Sequence, residues 1–193
     1  NSGGGGIYRV RSPLSALDHG GLAQHALLPN HEGTDKTRVP SSIEMQRMAP
    51  DSLFVLHGIS DLHINWLENY RKYTDTTLVF SLDDNLFSIP KMSSSRTRLP
   101  TDMKKRVRKA LSHCHRLLVT TEPLKEVYSE FIEDIRVMPN YLDGQLWGDL
   151  ESKKGQGSKP RVGWAGAMQH QGDLELLLPV MEALKDEVEW VSM

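Results

Sequence analysis

The side chains best suited to chemistry fall in short polar groups, each placed directly after a short apolar run. His57-Gly58 follows residues 53–56, and Ser81-Leu82-Asp83-Asp84-Asn85 follows 78–80. Thr120-Thr121-Glu122 follows 117–119, and Pro139-Asn140-Tyr141 follows 135–138. The stretch 166–172, which holds Gly166, Gln169, His170, Gln171 and Gly172, follows 161–165. One further group, Gly3-Gly4-Gly5-Gly6, leads into Tyr8-Arg9-Val10-Arg11 and a helix predicted over 14–17. Glycines let a backbone approach a phosphate or sugar closely, and the helix N-terminus that follows favours an anion. A glycine run at a chain start also reads as the scar of a tag.

Asp83 and Asp84 raise the question of a metal held by a carboxylate pair. Adjacent side chains on a strand end point in opposite directions, and no third ligand is evident. The reading is therefore no metal, with Asp84 capping a turn and Asp83 accepting a structural hydrogen bond as the plainer alternatives. His57 suits structure as well as function. His113 and His115, on either side of Cys114, read as structural. There is no Ser-His-Asp set and no Walker or dinucleotide fingerprint.

Groups placed in this way need strands and helices to carry them. The runs 53–56, 78–80, 117–119 and 135–138 are too short for helices and suit buried parallel strands. Between them lie helix-prone segments. Residues 61–73 place Leu62, Trp66, Leu67 and Tyr70 at helical spacing; 101–113 start at a Thr cap and place Met103, Val107 and Leu111 four apart. Residues 122–132 begin with Pro123 in the first turn and put Leu124, Val127, Tyr128 and Phe131 on one face. Strands alternating with helices predict an α/β fold with a doubly wound parallel sheet. In such sheets ligands bind beyond the carboxyl ends of the strands, the edge on which these polar groups would converge.

Residues 151–160 are rich in Gly, Ser and Lys and read as a linker. The pattern then restarts with a strand over 161–165, a helix over 173–184 and a strand over 188–191. One βαβ unit cannot bury both sheet faces alone. The expected organisation is an N-terminal domain over 1–150 lacking its first strand, the linker, and the beginning of a second domain over 161–193. The opening without Met and the stop inside a strand give the chain the look of a fragment.

Apolar residues make up 38% of the 193 residues and charged residues 25%, a balance that suits a globular core and excludes a disordered chain. The net charge of −2 argues against a nucleic-acid partner. No apolar run approaches the roughly 20 residues that span a bilayer. Cys114 is the only cysteine, so an intrachain disulfide is impossible, and a reducing, cytoplasmic setting is expected. Arg96, Arg98, Lys104, Lys105, Arg106, Arg108 and Lys109 form one basic stretch. It reads either as a solvated helix face or as a contact with an anionic lipid surface or phosphorylated acceptor.

Several of these blocks carry a resemblance. Gly5-Gly6-Ile7-Tyr8-Arg9-Val10, the run from Phe80 through Asp83, Asp84 and Asn85 to Pro90, Val137-Met138-Pro139-Asn140-Tyr141-Leu142-Asp143, Val162-Gly163-Trp164-Ala165-Gly166 and Gln169-His170-Gln171-Gly172-Asp173 are similar to bacterial group-1 (family 4) glycosyltransferases. The likeness is to those of O-antigen and surface-polysaccharide assembly. It implies a GT-B fold of two Rossmann-like domains, of which 161–193 would supply the first βαβ unit of the second. It also implies transfer of a sugar from a nucleotide-sugar donor to a saccharide or lipid-linked acceptor, with retention, without a metal and with no cofactor beyond the donor substrate. On this likeness His57, Asp83 and Asp84 are the catalytic, acceptor-side residues. Gly5, Gly6, Arg9 and Asn140 would bind substrate with Gly166, Gln169, His170, Gln171 and Gly172, the donor phosphates lying against the glycines. A non-catalytic glycan-binding or scaffolding module and a nucleotide-sugar epimerase are the alternatives. The location implied is cytoplasmic, with peripheral membrane contact through Lys104, Lys105, Arg106, Arg108 and Lys109. Self-association through the incomplete second domain is expected, and the isolated fragment should be inactive.

Overall fold

A computed structural model describes residues 4–28, 39–56, 58–90, 93, 99–149, 151, 159–166 and 170–192. The chain divides into two compact units, one comprising 1–85 and 104–149, the other 86–103 and 150–193.

The first unit is built on four parallel strands in the order β1-β2-β3-β4. These are β1 (Ser52–Leu56), β2 (Thr77–Leu82), β3 (Arg116–Val119) and β4 (Ile135–Val137). Register is set by pairs such as Leu56 with Ser81 and Ser81 with Leu118. The crossovers carry α4 (Asp61–Tyr73), α5 (Met103–Ser112) and α6 (Glu122–Tyr128). Parallel strands joined in consecutive order by crossovers of one hand put these helices on one face. Alternation along β2 agrees: Leu78, Phe80 and Leu82 are fully buried with Leu117 and Val119, and so are Ile64, Leu67, Tyr70, Val107, Leu111 and Tyr128 on the helices. The parallel α/β architecture is the expected one. The described strands follow one another without the reversal of order that marks a doubly wound sheet.

Local chemistry explains the helix ends. Ser60 and Thr121 cap α4 and α6 by accepting from the backbone N–H of His63 and Leu124. The helix expected over 122–132 stops at Tyr128, whose hydroxyl donates to the Asp84 carbonyl at 2.7 Å and fixes the chain there. The helix expected over 101–113 begins at Met103. α3 (Ser42–Met48) is an addition to the expected set: Ser41 and Glu44 form a reciprocal capping box. α3 packs on α4, and the Tyr70 hydroxyl donates to the Pro40 carbonyl. A further short helix, α7 (Gly144–Trp147), follows β4.

The glycine run departs from its expected form. Gly4 to Gly6 are not a loop but the first turn of a helix, α1 (Gly4–Gly6), which continues through a π-helical turn, Ile7–Arg11, into α2 (Ser12–His19). The residues at both junctions stay helical, Gly6 at φ −66° and Arg11 at φ −66°. Pro13 accounts for the π turn. It has no N–H to offer the Arg9 carbonyl, and its ring would strike that carbonyl in a regular helix. Widening the turn relieves both, and the Ser12 N–H bonds back to the Ile7 carbonyl.

The second unit has the strand-helix-strand pattern expected of it: β5 (Arg161–Trp164), α8 (Gln171–Ala183) and β6 (Glu189–Ser192), with β5 and β6 parallel. None of its residues described over 159–191 is buried. The expected linker falls mostly outside the described residues.

Candidate functional site

The carboxyl edge of the first sheet collects four of the residues singled out by sequence: Gly5, Arg9, Asp83 and Asn140. Arg9, held on the π turn, is only 2% exposed. Its Nε donates to Ser81 Oγ at 3.1 Å and a terminal nitrogen donates to the same oxygen at 2.5 Å. The other terminal nitrogen donates to Asn140 Oδ1 at 3.0 Å and to the Met138 carbonyl at 3.4 Å. One guanidinium thus joins the N-terminal helix, the end of β2 and the turn after β4. Burial lowers the Arg9 pKa, and the negative charge of Asp83 opposes that shift.

Ser81 lies in phase with Val79 rather than Phe80, so it faces away from α4, α5 and α6, and Arg9 covers it there. A fully buried hydroxyl inside an apolar strand needs a partner. That requirement was the signal for Ser81, which sequence reading placed beyond the strand rather than within it. Gly5 sits over the same edge: a methyl in place of its hydrogen would stand 3.8 Å from Leu56 Cδ2 and 3.9 Å from Asp83 Oδ2, ordinary contact distances. Gly6 is buried in the same helical turn.

The turn after β2 is anchored through its backbone. The Thr120 hydroxyl donates to the Asp83 carbonyl at 3.4 Å, and Tyr128 holds the Asp84 carbonyl. The Asp83 side chain is half-buried and that of Asp84 exposed. Among the described residues no cluster of three or more His, Cys, Asp or Glu has metal-site geometry. His57 and Gln169 lie outside the described residues.

In the second unit, a Cβ on Gly166 would stand 2.5 Å from the Trp164 ring, so a side chain there would displace that ring. His170 precedes α8, and its Nδ1 lies 2.8 Å from Asp173 Oδ2. Gln171 and Gly172 open α8, and Asp173 occupies the first turn, where its carboxylate already complements the helix N-terminus.

Other candidates have structural surroundings. His115 Nδ1 accepts the Leu78 N–H at 2.9 Å, and burial together with Arg71 lowers its pKa. Burial pushes the Cys114 thiol up to about 12, which leaves it unreactive. The basic face of α5 is engaged in ion pairs: Lys104 and Arg108 with Glu130, Arg106 with Asp61 at 2.7 Å, and Lys109 with Glu68. These pairs accord with the solvated-face reading for α5; Arg96 and Arg98 lie outside the described residues. No helix among the described residues is long and apolar enough to cross a membrane.

No family model matches the chain. No curated protein matches it significantly.

Proposed function

We propose that the chain is part of a glycosyltransferase that moves a sugar from a nucleotide-sugar donor to a saccharide or lipid-linked acceptor. The observation that supports this reading best is the convergence of Gly5, Arg9, Asp83 and Asn140 at the carboxyl edge of one parallel sheet. Ligands of open α/β sheets bind at that edge. In this reading the first unit carries the acceptor side of a GT-B architecture, and the βαβ of the second unit carries donor-side residues. Asp83 is the carboxylate offered to an acceptor hydroxyl, with Asp84 next to it in the sequence and His57 following the neighbouring strand. The chemistry needs no metal, the leaving diphosphate being stabilised by oriented N–H groups and cations.

The test is thermal unfolding of the full-length protein against a panel of nucleotide sugars, followed by transfer assays with and without chelator. A rise in melting temperature with one nucleotide sugar, and transfer that survives chelator, is expected. Binding with no transfer to any acceptor would favour a non-catalytic glycan-binding module. Interconversion of nucleotide sugars without an acceptor would favour an epimerase.

A further inference from the structure

Arginine is a donor only, and this fixes the role of the groups around it. Arg9 is buried, and the partners of its hydrogen bonds are Ser81 Oγ, the Met138 carbonyl and Asn140 Oδ1, each acting as acceptor. A carboxamide has one acceptor arm and one donor arm. With Oδ1 turned to the guanidinium, the Nδ2 arm of Asn140 must turn away from it. Asn140 is exposed while Arg9 is buried, so the free arm faces the open side of the sheet edge. The positive charge behind the carboxamide polarises it further in the donor sense.

We infer that Asn140 is a specificity-determining hydrogen-bond donor for an oxygen acceptor of the nucleotide-sugar ligand, and that Arg9 is the positioning residue that enforces this orientation. The inference deepens the transferase reading and rests on it for the identity of the natural ligand. Asp83 supplies the complementary function on the same edge, because an ionised carboxylate can only accept. An acceptor oxygen of the donor sugar nucleotide at Asn140 and a hydroxyl of the acceptor saccharide at Asp83 satisfy both.

Asn140→Asp separates this role from a merely structural one. The aspartate keeps an oxygen for Arg9, in a stronger charge-assisted bond, but replaces the outward N–H₂ with a second oxygen. In the full-length protein the melting temperature should hold or rise, while affinity for the nucleotide sugar that binds best falls at least tenfold. Asn140→Ala should lower both. Wild-type affinity in Asn140→Asp would overturn the inference. An independent reading uses ¹⁵N-labelled protein titrated with inorganic pyrophosphate and, separately, with nucleoside diphosphates. The Asn140 side-chain N–H₂ pair should shift with both probes. No shift with either would overturn the inference. A shift with pyrophosphate in a protein that binds no nucleotide sugar would sink the transferase reading and leave the inference standing.

Discussion

The two units use the same strand-helix-strand grammar and reach opposite degrees of burial. In the first, Leu78, Phe80, Leu82, Val107, Leu117, Val119 and Tyr128 are all wholly buried. In the second, Leu176 is 75% exposed and Leu178 54% exposed, and no residue described over 159–191 is buried. Both contain enough apolar side chains. The difference lies in the number of layers: four strands with three crossover helices close a face, whereas two strands and one helix do not. Burial of a large side chain contributes roughly 1.5–3 kcal/mol, so the stability of this chain resides in the first unit. The candidate site shares that distribution, for Arg9 and Ser81 are buried there, while His170 and Asp173 stand exposed in the second unit.

Matched truncations test this contrast with the largest expected effect. Phe80→Ala should lower the unfolding free energy by about 3–5 kcal/mol, and Leu178→Ala should change it by less than about 0.5 kcal/mol. Urea denaturation of the two variants measures the pair. Equal losses would show that the second unit shares the core.

Arg9→Ala ranks next. It opens a cavity and leaves Ser81 and Asn140 without their donor, at a cost of about 2–4 kcal/mol. The loss should appear first as faster amide exchange in α1, α2 and the turn at 138–141. Exchange unchanged in those segments would mean that Arg9 does not hold them together.

The smallest effect concerns pH. His115 and His63 both have lowered pKa values, with burial as the leading cause. Their neutral forms are favoured in the fold, so the unfolded chain takes up the protons first. The stability they contribute is fully present above the unfolded value of about 6.5 and is lost as pH falls through the lower folded values. His115→Leu removes the acceptor of the Leu78 N–H, costs about 1 kcal/mol, and should flatten the loss of stability between pH 7 and 5. Melting temperatures across that range measure the slope, and an unchanged slope would assign the acid sensitivity elsewhere.

What the sequence made legible follows the range of the forces involved. Residues 61–73 were readable because Leu67 and Tyr70 repeat at helical spacing, and the strands because short apolar runs end in polar groups. The Ser41-Glu44 capping box was equally local, yet α3 is short and shows no long periodicity. The helical state of Gly4 to Gly6 was not readable. Glycine disfavours a helix, and the turn it forms here is continuous with a helix that Arg9 ties to residues 72 and 131 positions away. For the same reason Gly5, Arg9, Asp83 and Asn140 could be named one by one, but Ser81 as their common partner could not. The edge carrying them could be foretold from parallel topology; the inward turn of Arg9 could not.

The most direct test of the account is Asp83→Asn in the full-length protein, with sugar transfer and the denaturation midpoint measured on the same preparation. If Asp83 is the carboxylate that receives an acceptor proton, transfer should fall by about 10²–10⁴-fold while nucleotide-sugar affinity and the midpoint stay near wild type. Wild-type transfer rates in Asp83→Asn would contradict the proposed site.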